Sequence, residues 1–326
     1  MMPRFYKFVQ SSLVEKIFLG ILSLVYLVYM VGFVHTLSTP SSSSPIIVEH
    51  QVGANPVAEL QHWSVENMRA AIDDQEVSDT FDFTQQGSSD IAKGQAAQQD
   101  GQVPSDTNLS YPLSTVGKVF FTNGGQDYVC SGTAIVSSNH NTIDTAGHCL
   151  YGHGNWVQNL IFCPLYDNGK TPYGCWVARA LEVPADWIRG ELSALHRDFG
   201  MAIVSTSSSQ GNLTDVVGGA GWAYNQSAKQ PFYAYGYPAG YPFDGQTRRS
   251  CEGSTGKAWP HAGGTVVSIP CDMTGGSSGG PWFIKVNGSW YLNGHNDFTS
   301  NLQRGHMFSP YYDDVWYALY NKAQRS

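Results

Sequence analysis

Gly275-Gly276-Ser277-Ser278-Gly279-Gly280-Pro281 sets a serine ahead of Gly-Gly-Pro inside a glycine-rich turn. An ordinary loop has no use for that run, but a nucleophilic serine does. Glycines before it let backbone N–H groups converge on the oxyanion of an acyl-transfer intermediate. A serine hydroxyl is a weak nucleophile near neutrality and needs a base. Upstream, Thr145-Ala146-Gly147-His148-Cys149 offers one. An imidazole titrates near neutral pH, so it can take the hydroxyl proton and return it to the leaving amine. Between the two lies Arg197-Asp198-Phe199-Gly200-Met201-Ala202-Ile203, an aspartate heading an apolar strand. A buried carboxylate there holds the imidazole in one tautomer and stabilises its charged form. Each stretch alone has a plainer reading: a histidine beside a structural cysteine, an aspartate capping a strand, a flexible loop. Together they place His148, Asp198 and Ser278 in order, with gaps of 50 and 80 residues. The serine run also contains G-x-S-x-G, the nucleophile elbow of α/β-hydrolases. That fold needs the acid and histidine after the serine and alternating parallel-sheet units, and neither holds here.

These stretches resemble the trypsin/chymotrypsin superfamily, over about residues 110–326. Cys130-Ser131-Gly132 ahead of Gly147-His148-Cys149 is similar to that superfamily's disulfide bracing the histidine loop. Val116-Gly117-Lys118-Val119-Phe120-Phe121 and Cys271-Asp272-Met273-Thr274-Gly275-Gly276-Ser277-Ser278 resemble, more narrowly, bacterial-type secreted glutamyl-endopeptidase-like proteases. The resemblance implies an all-β, chymotrypsin-like double six-stranded antiparallel β-barrel with a C-terminal helix. It implies a serine endopeptidase working through an acyl-enzyme on protein or peptide substrates, as a monomer without cofactor or metal. Ser278, immediately before Gly-Gly-Pro, takes the nucleophile role rather than Ser277. By the same match, the backbone N–H groups of Gly276 and Ser278 form the oxyanion hole. Gly294-His295 on the strand after the nucleophile resembles the place where glutamyl endopeptidases set a histidine against the substrate's acidic side chain. His295 is therefore expected to favour Glu before the scissile bond, with Asp297 close by as an opposing charge. Two residues depart from the pattern. Ser277 stands where trypsin has the aspartate that binds a newly freed N-terminus, and Asp144 stands where an apolar residue usually precedes Thr-Ala-Gly-His-Cys. The competing function is an exported protease fold that has lost catalysis and binds a partner.

Outward from these motifs, residues 111–326 read as short β-rich runs broken by Gly, Asn, Asp and Pro: Lys118–Phe121, Tyr128–Val136, Asn155–Phe162, Met201–Val204, Phe232–Tyr237, Thr265–Ile269, Trp282–Val286 and Trp290–Asn293. The end reads as a helix, with Ser309 as N-cap, Pro310 first, and Val315, Trp316, Leu319 and Tyr320 on one apolar face. Arg4, Lys7 and Lys16 before the apolar run Ile17–Val34 make residues 1–37 a signal peptide or a retained anchor through residues 17–34. Either exports the rest, to a secreted or a membrane-anchored position. Residues 38–110 are expected to be a linker followed by either a pro-segment or a plain spacer, largely disordered, with one amphipathic stretch from Trp63 to Ile72.

Residues 38–110 hold 11 acids and 2 bases, and residues 111–326 hold 14 acids and 13 bases. The net charge of −8 thus belongs to the segment ahead of the domain, and no basic patch points to nucleic acid. The six cysteines all fall between positions 130 and 271 of an exported chain, so disulfides are expected. Sequence neighbours suggest Cys130–Cys149, Cys163–Cys175 and Cys251–Cys271. A zinc site would want a C-x-x-C pair, which the sequence lacks.

Overall fold

Alternating and doubly apolar runs become strands wherever a Gly, Asn or Pro turn bounds them. In the computed structural model, which describes residues 44–53, 55–73, 111–254, 263–300 and 303–326, the strands of the first half are β1 Ile47–Gln51, β2 Ile72–Asp73, β3 Val116–Asn123, β4 Gln126–Ile135, β5 Thr142–Ala146, the small hairpin β6 Tyr151–Gly152 and β7 Asn155–Trp156, β8 Gln158–Pro164, β9 Trp176–Pro184 and β10 Phe199–Val204. The second half holds β11 Pro231–Gly236, β12 Arg249–Ser254, β13 Val266–Pro270, β14 Pro281–Val286, β15 Ser289–His295 and β16 His306–Pro310. The helices are short: α1 Pro56–His62, α2 Val65–Ala70, α3 Ala185–Gly190, α4 Leu213–Val217 and α5 Asp314–Ala323.

β8, β3, β4, β5, β10 and β9 pair in that order, and β8 also pairs with β9, so these six strands close into a barrel. Its inside is packed by Val119, Phe121, Ile143, Phe162, Leu181 and Ala202, all buried. The second half divides six strands between a four-stranded sheet, β12-β11-β14-β15, and the β13–β16 pair. Phe232, Ile269, Trp282, Ile284 and Met307 form the core these share. The expected all-β fold with two six-stranded halves and a C-terminal helix is the fold observed.

Three expectations need correction. The C-terminal helix starts at Asp314 and not at Pro310. Ser309 and Pro310 belong to β16, where Ser309 pairs with Val267. The cap is Asp313, whose carboxylate accepts the N–H groups of Val315 (2.9 Å) and Trp316 (3.4 Å). The run Asn155–Phe162 is broken at Val157 into β7 and β8. The stretch from 46 to 73, expected to be largely disordered, is folded onto the barrel. β1 extends the sheet beside β9, from Ile47 opposite Pro184 to Gln51 opposite Ala180. Asn55 and Ser64 cap α1 and α2. Trp63 lies against Phe120 and donates its indole N–H to the Asn159 carbonyl at 2.6 Å. Ile72, expected on the apolar face, is exposed instead, in β2, which pairs in parallel with β4 and sets Ile72 opposite Tyr128. This segment has too few apolar residues for its own core, but Trp63, Met68 and Ala71 add to the barrel's. That explains why β3 is buried on both faces: Phe121 points inward and Phe120 lies under the N-terminal helices.

The run Ile17–Val34 lies outside the described residues. Among the described residues no helix is long and apolar enough to cross a membrane.

Candidate active site

The three motif residues come from different elements: His148 follows β5, Asp198 precedes β10 and Ser278 precedes β14. β5 ends at Ala146, and Gly147 turns the chain so that His148 follows at once. A Cβ at Gly147 would lie 2.8 Å from the Asp198 carboxylate, so only glycine permits this approach. Asp198 immediately precedes β10, whose register against β5 pairs Phe199 with Ala146. The side chains then meet twice. His148 donates its backbone N–H to Asp198 Oδ1 at 2.7 Å, and Asp198 Oδ2 lies 2.7 Å from His148 Nδ1. Both residues are buried. Burial alone would raise the Asp198 pKa, but the charge and hydrogen bonds of His148, with a hydrogen bond from Asp297, hold it below the usual carboxylate value. The Cys130–Cys149 disulfide ties the histidine turn back to β4. The other two bonds are Cys163–Cys175 and Cys251–Cys271.

The serine turn is held from three sides. Ser131 on β4 donates its backbone N–H to the Ser278 carbonyl at 2.7 Å and its hydroxyl to the Gly276 carbonyl at 3.0 Å. Asn296 donates its amide N–H to the carbonyls of Tyr235 (2.8 Å) and Ser277 (3.1 Å) and accepts the Trp282 indole N–H (2.8 Å). Gly276 sits at φ +87, and a side chain there would meet the Tyr237 carbonyl at 2.8 Å. The two serines differ in what they offer. Ser277 is buried with its hydroxyl donated to the Thr274 carbonyl at 2.7 Å. Ser278 is 8% exposed, with its hydroxyl 3.4 Å from the Asp297 carbonyl. The N–H groups of Ser277, Gly279 and Gly280 bond to Thr274, Asn296 and Ser277 carbonyls. Those of Gly276 and Ser278 have no backbone acceptor among the described residues.

His295, the residue expected to favour Glu, lies inside the domain. It is 0% exposed, with Nδ1 2.8 Å from the Tyr312 hydroxyl and Nε2 3.0 Å from the Asp198 carbonyl. A carbonyl can only accept, so Nε2 carries a proton. Along β15 side chains alternate, and His295 falls on the face turned toward Asp198. Asp144, the charge with no counterpart in the resembled pattern, completes this network. Its carboxylate accepts the Tyr312 hydroxyl at 2.6 Å and the Trp316 indole N–H at 2.8 Å, and lies 3.5 Å from His295 Nδ1. Burial and the Asp144 charge push the Tyr312 pKa well up, so it stays a donor. Sequence reasoning missed Ser131, Tyr312 and the role of Asp144. Only Asp144 left a signal, as a charge in an apolar strand.

The Trypsin-like peptidase domain family matches residues 130–290. Among solved structures, the protease Anisep from Arthrobacter nicotinovorans is 40% identical, with a TM-score of 0.61, covering 67% of this chain and 98% of that one. The thermostable serine protease AL20 from an extremophilic microorganism is 36% identical, with a TM-score of 0.60, covering 66% and 98%. A Glu endopeptidase crystallised with MPD shares the fold at 18% identity, with a TM-score of 0.54, covering 68% and 95%. None of the curated proteins matches the chain.

Proposed function

The chain belongs to the trypsin-like serine proteases and is a serine endopeptidase, and from that premise we propose that Ser278 attacks the peptide carbonyl with His148 as base and Asp198 as its partner. The observation that carries this reading is the buried His148–Asp198 pair, joined at 2.7 Å through both Nδ1 and the backbone N–H, beside a serine turn pinned to β4. With Asp198 on Nδ1, the imidazole presents Nε2 as the base toward a hydroxyl. Ser278 loses its proton to His148 as it attacks. The tetrahedral oxyanion is received by the N–H groups of Gly276 and Ser278. The imidazolium protonates the leaving amine, giving the acyl-enzyme, and water repeats the cycle on the ester. Loss of one such oxyanion donor costs about a hundred- to a thousandfold in kcat.

The reading extends to place and maturation. Three disulfides support an oxidising compartment, with residues 1–37 as export signal or anchor and the domain outside. The residues ahead of Tyr111 act as a pro-segment whose stretch Ile47–Asp73 folds against the domain it accompanies. A preference for Glu before the cut finds no support in the placement of His295, and cleavage of a peptide library decides it. Ser278→Ala is expected to abolish proteolysis with folding intact. Equal loss in Ser277→Ala would overturn the choice of nucleophile.

A further inference from the structure

Asp297 lies just past β15 with its side chain wholly buried beside the His148–Asp198 pair. Its Oδ1 is 3.6 Å from His148 Nδ1, and a carboxylate oxygen of Asp297 lies within 4.8 Å of one of Asp198. Neither Asp297 oxygen accepts a hydrogen bond from any described protein group. Two buried carboxylates this close, with the single Nδ1 of His148 facing both, oppose double ionisation, whereas one added proton turns their repulsion into an O–H···O⁻ bond. Asp198 keeps its charge, because the backbone N–H and Nδ1 of His148 face its two oxygens.

We propose that Asp297 is a positioning residue of the triad, a neutral carboxylic acid that donates its proton to Asp198 while its backbone carbonyl faces the Ser278 hydroxyl. The inference rests on the triad reading above. Asp198 then receives three donors, which hold its carboxylate in the orientation that aims His148. Burial and the negative charge of Asp198 both push the Asp297 pKa well up, in keeping with this. The ionisable groups around it are Asp198 ahead of β10, His148 after β5 and, farther off, Tyr312 ahead of α5. Asp144 on β5 and His295 on β15 complete the set. The single negative charge that His148 feels at close range is therefore that of Asp198.

The test uses the mature enzyme and a peptide substrate, with active sites first counted by a fluorophosphonate. If the wild-type protein takes up no label, the triad reading has failed and not this one. With labelled sites counted, kcat/KM is measured against pH for the wild type, Asp297→Leu and Asp297→Asn. Leucine leaves Asp198 one donor short, and kcat/KM is expected to fall about ten- to a hundredfold. Asparagine restores a donor of the same shape and is expected to recover most of that loss, with the acidic limb where the wild type has it. Were Asp297 ionised, Asp297→Asn would remove a charge beside the imidazole and move that limb down by about one unit or more. Such a shift, or asparagine no better than leucine, overturns the proposal. Should Asp297→Asn not fold, Asp297→Ser carries the same two expectations with a hydroxyl donor. The wild-type profile checks the idea without any variant: two negative charges at His148 would lift the acidic limb by about one unit or more above the ordinary imidazole range, and a limb within that range is expected.

Discussion

Asp144 should be one of the most sensitive positions in the domain, although it touches neither substrate nor Ser278. Replacing it with alanine removes the acceptor of two buried donors, the Tyr312 hydroxyl (2.6 Å) and the Trp316 indole N–H (2.8 Å). Each orphaned donor costs about 1–3 kcal/mol, so Asp144→Ala is expected to destabilise by about 2–6 kcal/mol. That is a large part of the roughly 5–15 kcal/mol that holds a typical domain folded. Asp144→Asn keeps one acceptor oxygen and turns an N–H₂ toward the other donor, so it should cost about half as much. Adding Tyr312→Phe to Asp144→Asn removes the clashing donor, and the double variant should lose less than the sum of the single ones. Urea unfolding at neutral pH, read as a midpoint shift at unchanged slope, measures the wild type, Asp144→Ala, Asp144→Asn, Tyr312→Phe and the double variant. A loss below about 1 kcal/mol for Asp144→Ala, or strict additivity in the double variant, would refute the network as described.

The N-terminal segment gives two further expectations for the full chain. Trp63 is 3% exposed, so Trp63→Ala should cost about 3–5 kcal/mol, and a change confined to a few tenths would mean the segment is not part of the barrel's core. Glu59 on α1 is buried with Oε2 unpartnered, and burial raises its pKa from 4.5 to about 7. The folded state thus binds more protons than the unfolded one between those values, and stability falls as pH rises through that window. Glu59→Gln should therefore stabilise the chain above the window and not below it, as thermal unfolding at two pH values would reveal; an equal effect at both would remove Glu59 as the cause. Opening the Cys130–Cys149 bond, which spans 19 residues, by a double alanine substitution should cost about 3 kcal/mol in unfolding experiments.

The motifs were legible because the chemistry needs particular residue types and because glycine marks close approach: Gly147 and Gly276 stand where a side chain would strike the acid or a carbonyl. The strands Lys118–Phe121 and Phe232–Tyr237 were legible from β-branched and aromatic runs. β9 was not, since Trp-Val-Ala-Arg-Ala-Leu-Glu-Val-Pro has the composition of a helix and becomes a strand by pairing with three neighbours, β1, β8 and β10. The packing of 46–73 was hidden for a related reason: polar composition reports whether a segment can build a core, not whether it can borrow one. The burial of His295 was not legible, because a Gly-His dipeptide carries no orientation. Its strand phase turns it inward to Tyr312 and Asp198, and the ring is occupied there. Asp297, just past the end of β15, lies beside His148.

The central claim is that Ser278, and not its neighbour, is the nucleophile served by His148 and Asp198. Labelling the active protein with a fluorophosphonate and locating the adduct by peptide mass spectrometry tests it most directly. The account predicts one equivalent of label on Ser278, none in Ser278→Ala or His148→Ala, and full labelling of Ser277→Ala, whose missing hydroxyl only bonds the Thr274 carbonyl. Label on Ser277, or an active and unlabelled protein, would contradict it.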